Sequence, residues 1–258
     1  MYKIIFLLLA VNGWAQPRLI ATVDLPEPAS QIFIDRAGDI YLQLINGKIE
    51  KRNKDLRPLG DNQPRPSLTN FDPTNAMRLL GFDRTSKRVT WFYPDLSVYE
   101  YFTLDEAFAV EPWWLCTSGE RDYWVADAAD QSLKKIRATD QTVNREFRLP
   151  EVVPSVKEFT GIREYQNFLF LVHREAGIFI LNSFGQLLRT IPEKGLTEVQ
   201  FLGEELFYVR ENRVVFFDLF SAESRTLDLP RAAQTALLSD ERMFLLSGKA
   251  LSVFEFKP

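Results

Sequence analysis

The chain holds one cysteine and one histidine, so any thiol–imidazole chemistry would have to pair Cys116 with His173. Such a pair needs a base beside the sulfur to generate the thiolate. Cys116 lies in the apolar phrase PWWLCTSG, which predicts a buried, inert thiol. His173 closes the run FLFLVHREAG and precedes Arg174 and Glu175, so an exposed turn histidine is expected there. A lone histidine cannot build a zinc site. The chain contains no Gly-x-Ser-x-Gly elbow and no Walker-type loop, so esterase and phosphate-loop chemistry have no motif to stand on. Gly81, Gly161 and Gly203 fall near expected strand turns and need no ligand to explain them.

The residues that could bind are the large aromatics. TWFYPDLSVYEYF (90–102) and EPWWLC (111–116) crowd them into one part of the chain. The alternation of a strand sends some of them outward. Large aromatics dominate interface energetics. Tyr93, Tyr99 and Trp113 are therefore expected surface binding residues, together with Phe71 from the segment GDNQPRPSLTNFDPTNA (60–76). That segment is polar, carries Pro64, Pro66 and Pro73, and reads as a long loop of the kind that often serves function.

Composition bounds the rest. At 46% hydrophobic and 13% aromatic residues the chain can build a large core. A formal charge of −4 without a basic run gives no electrostatic case for nucleic acid. MYKIIFLLLAVNGWAQ places one lysine before a short apolar run and small residues, the layout of a secretory signal peptide cleaved after Ala15. Its apolar run is far below the roughly 20 residues of a membrane-spanning helix. The expected division is 1–15 signal peptide and 16–258 one domain. A single cysteine, away from the cleavage point, allows neither an internal disulfide nor a lipid anchor at the new N-terminus. Export without disulfides points to a bacterial periplasm, outer-membrane association or secretion.

A repeat positions these residues. GDIYLQLINGKIEKRNKDLRPL (38–59), RDYWVADAADQSLKKIRATDQTVNREFRLP (121–150), QNFLFLVHREAGIFILNSFGQLLRTIP (166–192) and EELFYVRENRVVFFDLFSAESRTLDLP (204–230) share one layout. Each is an apolar strand, a polar turn, a second strand, a turn and a shorter strand. Weaker copies occupy 76–104 and 242–258, and short apolar segments such as QIFID (31–35) and EVQFL (198–202) lie upstream. Four strands at about 40-residue spacing is the period of propeller blades. No copy shows the apolar spacing of a helical repeat. The last copy ends one strand short, while residues 18–25 end in Leu25-Pro26 as other fourth strands do. The expected fold is all-β: a six-bladed β-propeller whose last blade is closed by the N-terminal strand. Asn46-Gly47 predicts a type I′ hairpin turn, and the Lys134-Lys135 pair is expected on an outer, solvated hairpin.

IDRAGDIYLQLINGKIEKRNKDLR (34–57) and YWVADAADQSLKKIRATDQ (123–141) resemble repeats of the NHL type and related TolB-like six-bladed propellers. Asp35, Gly38, Asp39, Ile40 and Tyr41 match the turn and strand of that repeat. Val125-Ala126-Asp127 and Lys135-Ile136 match its later part. Such motifs mark strands and turns; the long loop, the outward aromatics and the missing catalytic motifs set the expected function, a binding or scaffold propeller without catalysis or cofactor. Its loops would engage a protein or glycan partner of the cell envelope, and the chain would be monomeric by itself. The resemblance to such propellers implies an alternative, a calcium-dependent hydrolase of the lactonase or gluconolactonase type with its site in the central channel. Only Asp35, Glu158 and Glu198 stand on or near expected inner strands to supply the six to eight oxygens calcium takes.

Overall fold

The computed structural model describes residues 17–35, 37–62 and 68–256. The expected signal peptide (1–15), Arg36, Pro64 and Pro66 lie outside them. Six four-stranded antiparallel sheets form the fold. Blade one is β2 (Ala29–Ile34), β3 (Ile40–Leu44), β4 (Ile49–Arg52) and β5 (Pro58–Asp61); blade two is β6 (Asn70–Asp72), β7 (Leu79–Asp83), β8 (Arg88–Phe92) and β9 (Val98–Thr103). Blade three is β10 (Pro112–Ser118), β11 (Asp122–Asp127), β12 (Ser132–Arg137) and β13 (Thr142–Arg148). Blade four is β14 (Phe159–Tyr165), β15 (Phe168–His173), β16 (Gly177–Asn182) and β17 (Leu187–Ile191). Blade five is β18 (Gln200–Leu202), β19 (Glu205–Arg210), β20 (Arg213–Asp218) and β21 (Ser224–Asp228). Blade six is β22 (Thr235–Leu238), β23 (Arg242–Ser247) and β24 (Ala250–Glu255), completed by β1 (Leu19–Asp24).

The ring closes as the sequence predicts. Strand β1 pairs with β24 from Leu19–Phe254 through Thr22–Ser252 to Asp24–Ala250. Beyond the strand, the Leu25 N–H reaches the Lys249 carbonyl at 2.8 Å, and the Leu25 side chain is buried. Six apolar clusters fill the interior, one between each pair of neighbouring blades. The cluster between blades six and one holds Ile32 and Leu42 against Leu237, Phe244 and Leu251. Each fully buried side chain of this size contributes about 1.5–3 kcal/mol, so the junction of blades six and one is packed as a core like the others.

Three sequence expectations change here. The long loop 60–76 is shorter than predicted, because Asp61 ends β5 and Asn70–Asp72 forms the inner strand of blade two. Asn46-Gly47 does not form a type I′ turn. Only Gly47 has positive φ (82°), and its N–H bonds the Leu44 carbonyl at 2.9 Å, which makes a three-residue loop ending on a left-handed glycine. True I′ geometry occurs at Gln166-Asn167 (φ 48° and 65°) and Glu211-Asn212 (φ 47° and 63°). Lys134 is not solvated. It is buried with Nζ 2.8 Å from Asp127 and 3.0 Å from Asp130, because β12 is the third of four strands and lies inside the blade.

Candidate functional site

The six inner strands surround a channel that widens, beyond their C-terminal ends, into a funnel of about 1370 Å³. Its wall is made by the turns that lead from each inner strand to the next strand, including Ala37-Gly38, Asn75–Arg78, Gly119–Arg121 and Gln166-Asn167. On the other side of Arg163 the channel narrows to a chamber of about 40 Å³ edged by Gln31, Asn70, Trp114, Glu198 and Gln200. That is room for a water or two.

Arg163 divides the two spaces and lines both. From β14 it crosses the channel to blade two, where Nη1 stands 2.7 Å from Asp72 Oδ1 and Nη2 donates to the Phe71 carbonyl at 3.4 Å. Its guanidinium carbon lies 4.9 Å from the centre of the Phe33 ring of blade one. Asp72 is almost fully buried and saturated. It accepts the Thr74 N–H and hydroxyl at 3.0 and 2.6 Å, and the Thr117 N–H and hydroxyl at 2.8 and 3.0 Å. Burial alone would raise the Asp72 pKa, but Arg163 and these hydrogen bonds outweigh it and hold the carboxyl below the ordinary aspartate value.

The same inner-strand level joins the other blades. Glu164 accepts the Ser118 hydroxyl at 2.6 Å and the Trp124 indole N–H. Glu198 accepts the Thr235 hydroxyl at 2.8 Å, and burial pushes its carboxyl up despite Thr235 and Arg163. Gln200 donates to the Ile32 carbonyl at 3.3 Å. The polar residues around the channel thus clasp blade to blade.

The structure scatters the residues that could do chemistry. The Cys116 thiol is fully buried and raised well above its usual pKa, first by desolvation and then by the Asp72 and Glu164 charges. His173 is no exposed turn residue, since only 11% of its side chain is accessible. Its Nδ1 accepts the N–H groups of Glu175 and Ala176 at 3.0 and 2.9 Å, so the ring closes the turn after β15. Of the acids expected near the channel, Asp35 accepts Ala37 N–H, Asp39 N–H and the Tyr41 hydroxyl at 2.9 to 3.1 Å. Glu158 bonds the Ser155 N–H before β14. With Glu198 they occupy blades one, four and five and do not converge. Among the described residues no group of three or more His, Cys, Asp or Glu side chains is placed to hold a metal ion.

The predicted aromatic site also divides. Phe71 is 1% exposed, packed edge-on or tilted against Phe33, Tyr41 and Phe92, because it sits on an inner strand and not in a loop. Tyr93 and Tyr99 lie on the outer rim of blade two, 48% and 52% exposed, with ring centres 5.1 Å apart. Trp113 is half-buried elsewhere, at the start of β10, with the Arg84 guanidinium 3.9 Å above its ring and Lys157 at 5.3 Å. Arg163, Asp72, Thr117 and Glu164 were not singled out from the sequence. Their signal was positional: Asp72 and Thr117 are 45 residues apart and Ser118 and Glu164 are 46 apart, about one blade each.

The arrangement defines a ring-closed six-bladed β-propeller with a narrow channel and an open funnel. No family model matches the chain, and no curated protein matches it in sequence. Its fold is similar to that of three solved propellers. The Pan2 WD40 domain of Neurospora crassa superposes with a TM-score of 0.60 at 10% identity, over 94% of this chain and all of that one. Virginiamycin B lyase from Staphylococcus aureus, in a catalytically inactive form with quinupristin, gives 0.58 at 11% identity over 92% and 98%. BamB from Moraxella catarrhalis gives 0.53 at 7% identity over 93% and 100%. At such identities the likeness is one of fold.

Proposed function

We propose that this chain is a non-catalytic binding propeller of the bacterial cell envelope, one domain from residue 16 onward, whose turn face seats a protein or glycan partner in the funnel. The observation that carries this reading is the funnel itself. Its volume of about 1370 Å³ exceeds the roughly 300–1,000 Å³ of small-molecule clefts, and the Arg163–Asp72 ion pair stands at its floor. That shape suits a protruding loop or chain better than a small substrate. The candidate catalytic groups support it too, because Asp72, Glu164, Glu198 and His173 are each engaged in holding turns or blades together. Export rests on the leader sequence. Kinship with NHL- and TolB-like propellers rests on the Asp35 turn, whose carboxylate bonds two N–H groups ahead of the left-handed Gly38 (φ 85°) and β3.

An enzyme reading draws on the lyase likeness, since a virginiamycin B lyase carrying a histidine-to-alanine substitution is catalytically inactive. Here the sole histidine, His173, caps a turn through Nδ1 and is largely covered. Two measurements decide. A photo-cross-linker at Arg121 or Asn167 on the funnel wall is expected to give one discrete adduct in native envelope, whereas the same group at Glu151 gives none. Turnover in a lactone, ester and streptogramin screen with calcium or magnesium present, lost in Asp72→Asn, would replace the binding reading with an enzymatic one.

A further inference from the structure

Fifteen large apolar side chains are exposed among the described residues, and four of them, Tyr93, Val98, Tyr99 and Tyr101, fall within nine residues of blade two. Exposed apolar residues scattered singly are normal, but a contiguous group marks an interaction surface. These four lie along β9, the outermost strand of its sheet, and along the turn before it. Leu59 of the neighbouring outer strand β5 is also exposed, at 53%. The two blades meet at this turn, where Lys51 Nζ donates to the Pro94 carbonyl at 3.1 Å.

An outer strand leaves half its backbone groups unpaired, and proteins usually guard such edges with charge, proline or brevity. Strand β5 is four residues long and begins with Pro58; β13 carries Arg145, Glu146 and Arg148; β17 carries Arg189; β21 carries Arg225 and Asp228. Strand β1 is uncharged from Leu19 to Val23 but presents no aromatic. Strand β9, VYEYFT, has one charge, Glu100, and Arg78 Nη2 stands 3.5 Å from it. The Leu104 N–H bonds the Lys87 carbonyl at 2.9 Å. By the alternation of an antiparallel ladder, the N–H and C=O groups of Tyr101 and Thr103 then point away from β8, toward solvent. Beside them, the exposed Arg88 lies 5.1 Å from the centre of the Tyr101 ring and makes no ion pair among the described residues.

We propose that the β9 edge is a docking site for an extended segment of another polypeptide, which adds to blade two as a fifth strand and places an acidic side chain against Arg88. The open backbone groups of Tyr101 and Thr103 supply the main-chain bonds of strand addition. Tyr99 and Tyr101 supply apolar anchors, and Arg88 sets the charge preference. This surface is on the rim and independent of what the funnel takes.

The test is a displayed library of ten-residue peptides alternating valine and threonine, with one random central position, selected on the intact protein. Aspartate and glutamate are expected to be enriched at least tenfold over lysine and arginine at that position. Arg88→Glu, at an exposed site, should invert the preference. Thr103→Pro removes only an outward N–H and should abolish enrichment, with a thermal melt confirming its fold. No acidic enrichment, or enrichment unchanged in both variants, overturns the proposal. A dimer in sedimentation that Thr103→Pro dissociates would assign the edge to a second copy of this chain and would also overturn it.

Discussion

At the residue scale, the ion pair between Arg163 and Asp72 sets the chemistry of the channel. Asp72 is 1% exposed at its side chain and Arg163 20%. Removing one partner of such a pair strands the other charge, a loss of about 3–5 kcal/mol. Arg163→Ala is therefore expected to lower the melting temperature by roughly 10 °C, taking about 2–4 °C per kcal/mol for a chain of this size. Its pH dependence follows from the sign of the shift. The Asp72 carboxyl is held below its unfolded value, so it contributes stability above about pH 4 that is lost as pH falls through the folded value. In Arg163→Ala the depression is smaller, so the share of stability lost on acidification below about pH 4 should shrink and the acid limb become shallower; an unchanged limb in acid titration would refute the assignment. Glu198 runs the opposite way. Its folded carboxyl is raised, so stability is lost as pH rises from the unfolded value through the folded one. Glu198→Gln keeps an oxygen for Thr235 and removes the buried charge. It should melt with the wild type near pH 4 and above it near pH 7.

At the scale of the element, turns decide more than strands. Gly177 opens β16 with φ 98°, and a Cβ there would stand 2.0 Å from the Ile191 carbonyl oxygen, a backbone atom that cannot swing aside. Gly177→Ala is expected to cost at least about 2 kcal/mol by left-handed strain and clash. Gly161→Ala meets nothing within 4 Å at ordinary φ and should be nearly neutral; comparable chemical-denaturation losses for the two would contradict this account. These turns also show what was readable beforehand. The second strands begin at Ile40, Leu79, Asp122, Phe168, Glu205 and Arg242, within two residues of where the apolar runs place them. Long β-branched and aromatic runs announce a strand by themselves. The inner strand Asn70–Asp72 did not, because three residues with a single apolar one carry no period. Asn46-Gly47 misled for a related reason: the dipeptide suits a left-handed glycine, but the length of the loop set by β3 and β4 chose the turn. The channel residues were less legible still. Arg163 reads as one more polar residue in FTGIREY until the ring brings Asp72, 91 residues away in the chain, to its guanidinium. Lys134 was misplaced because charge alone predicts solvent, whereas Asp127 and Asp130 provide it a buried berth.

At the scale of the whole molecule, stability depends on a closed ring, since each apolar cluster is shared by two blades and an open edge would expose half of one. Strand β1 itself buries little: its residues are exposed or half-buried, apart from Leu25 just beyond it. Its role is to cover the edge of β24, to which it is held by the ladder from Leu19 to Asp24 and by the Thr22–Ser252 hydroxyl contact at 3.0 Å. A chain lacking residues 1–25 loses that ladder and the burial of Leu25, about 3–6 kcal/mol if the leucine is worth about 2 and the strand pairing the remainder. The expected consequences are a melting temperature lower by roughly 10 °C and association through the uncovered β24 edge. A peptide of residues 17–26 supplied in trans should restore the melt and reverse the added association, because it carries the whole of β1 together with the residues that anchor its ends. If the truncated chain melts like the full one and associates no more than it does, the closure contributes nothing, and the six clusters would have to hold the ring without it.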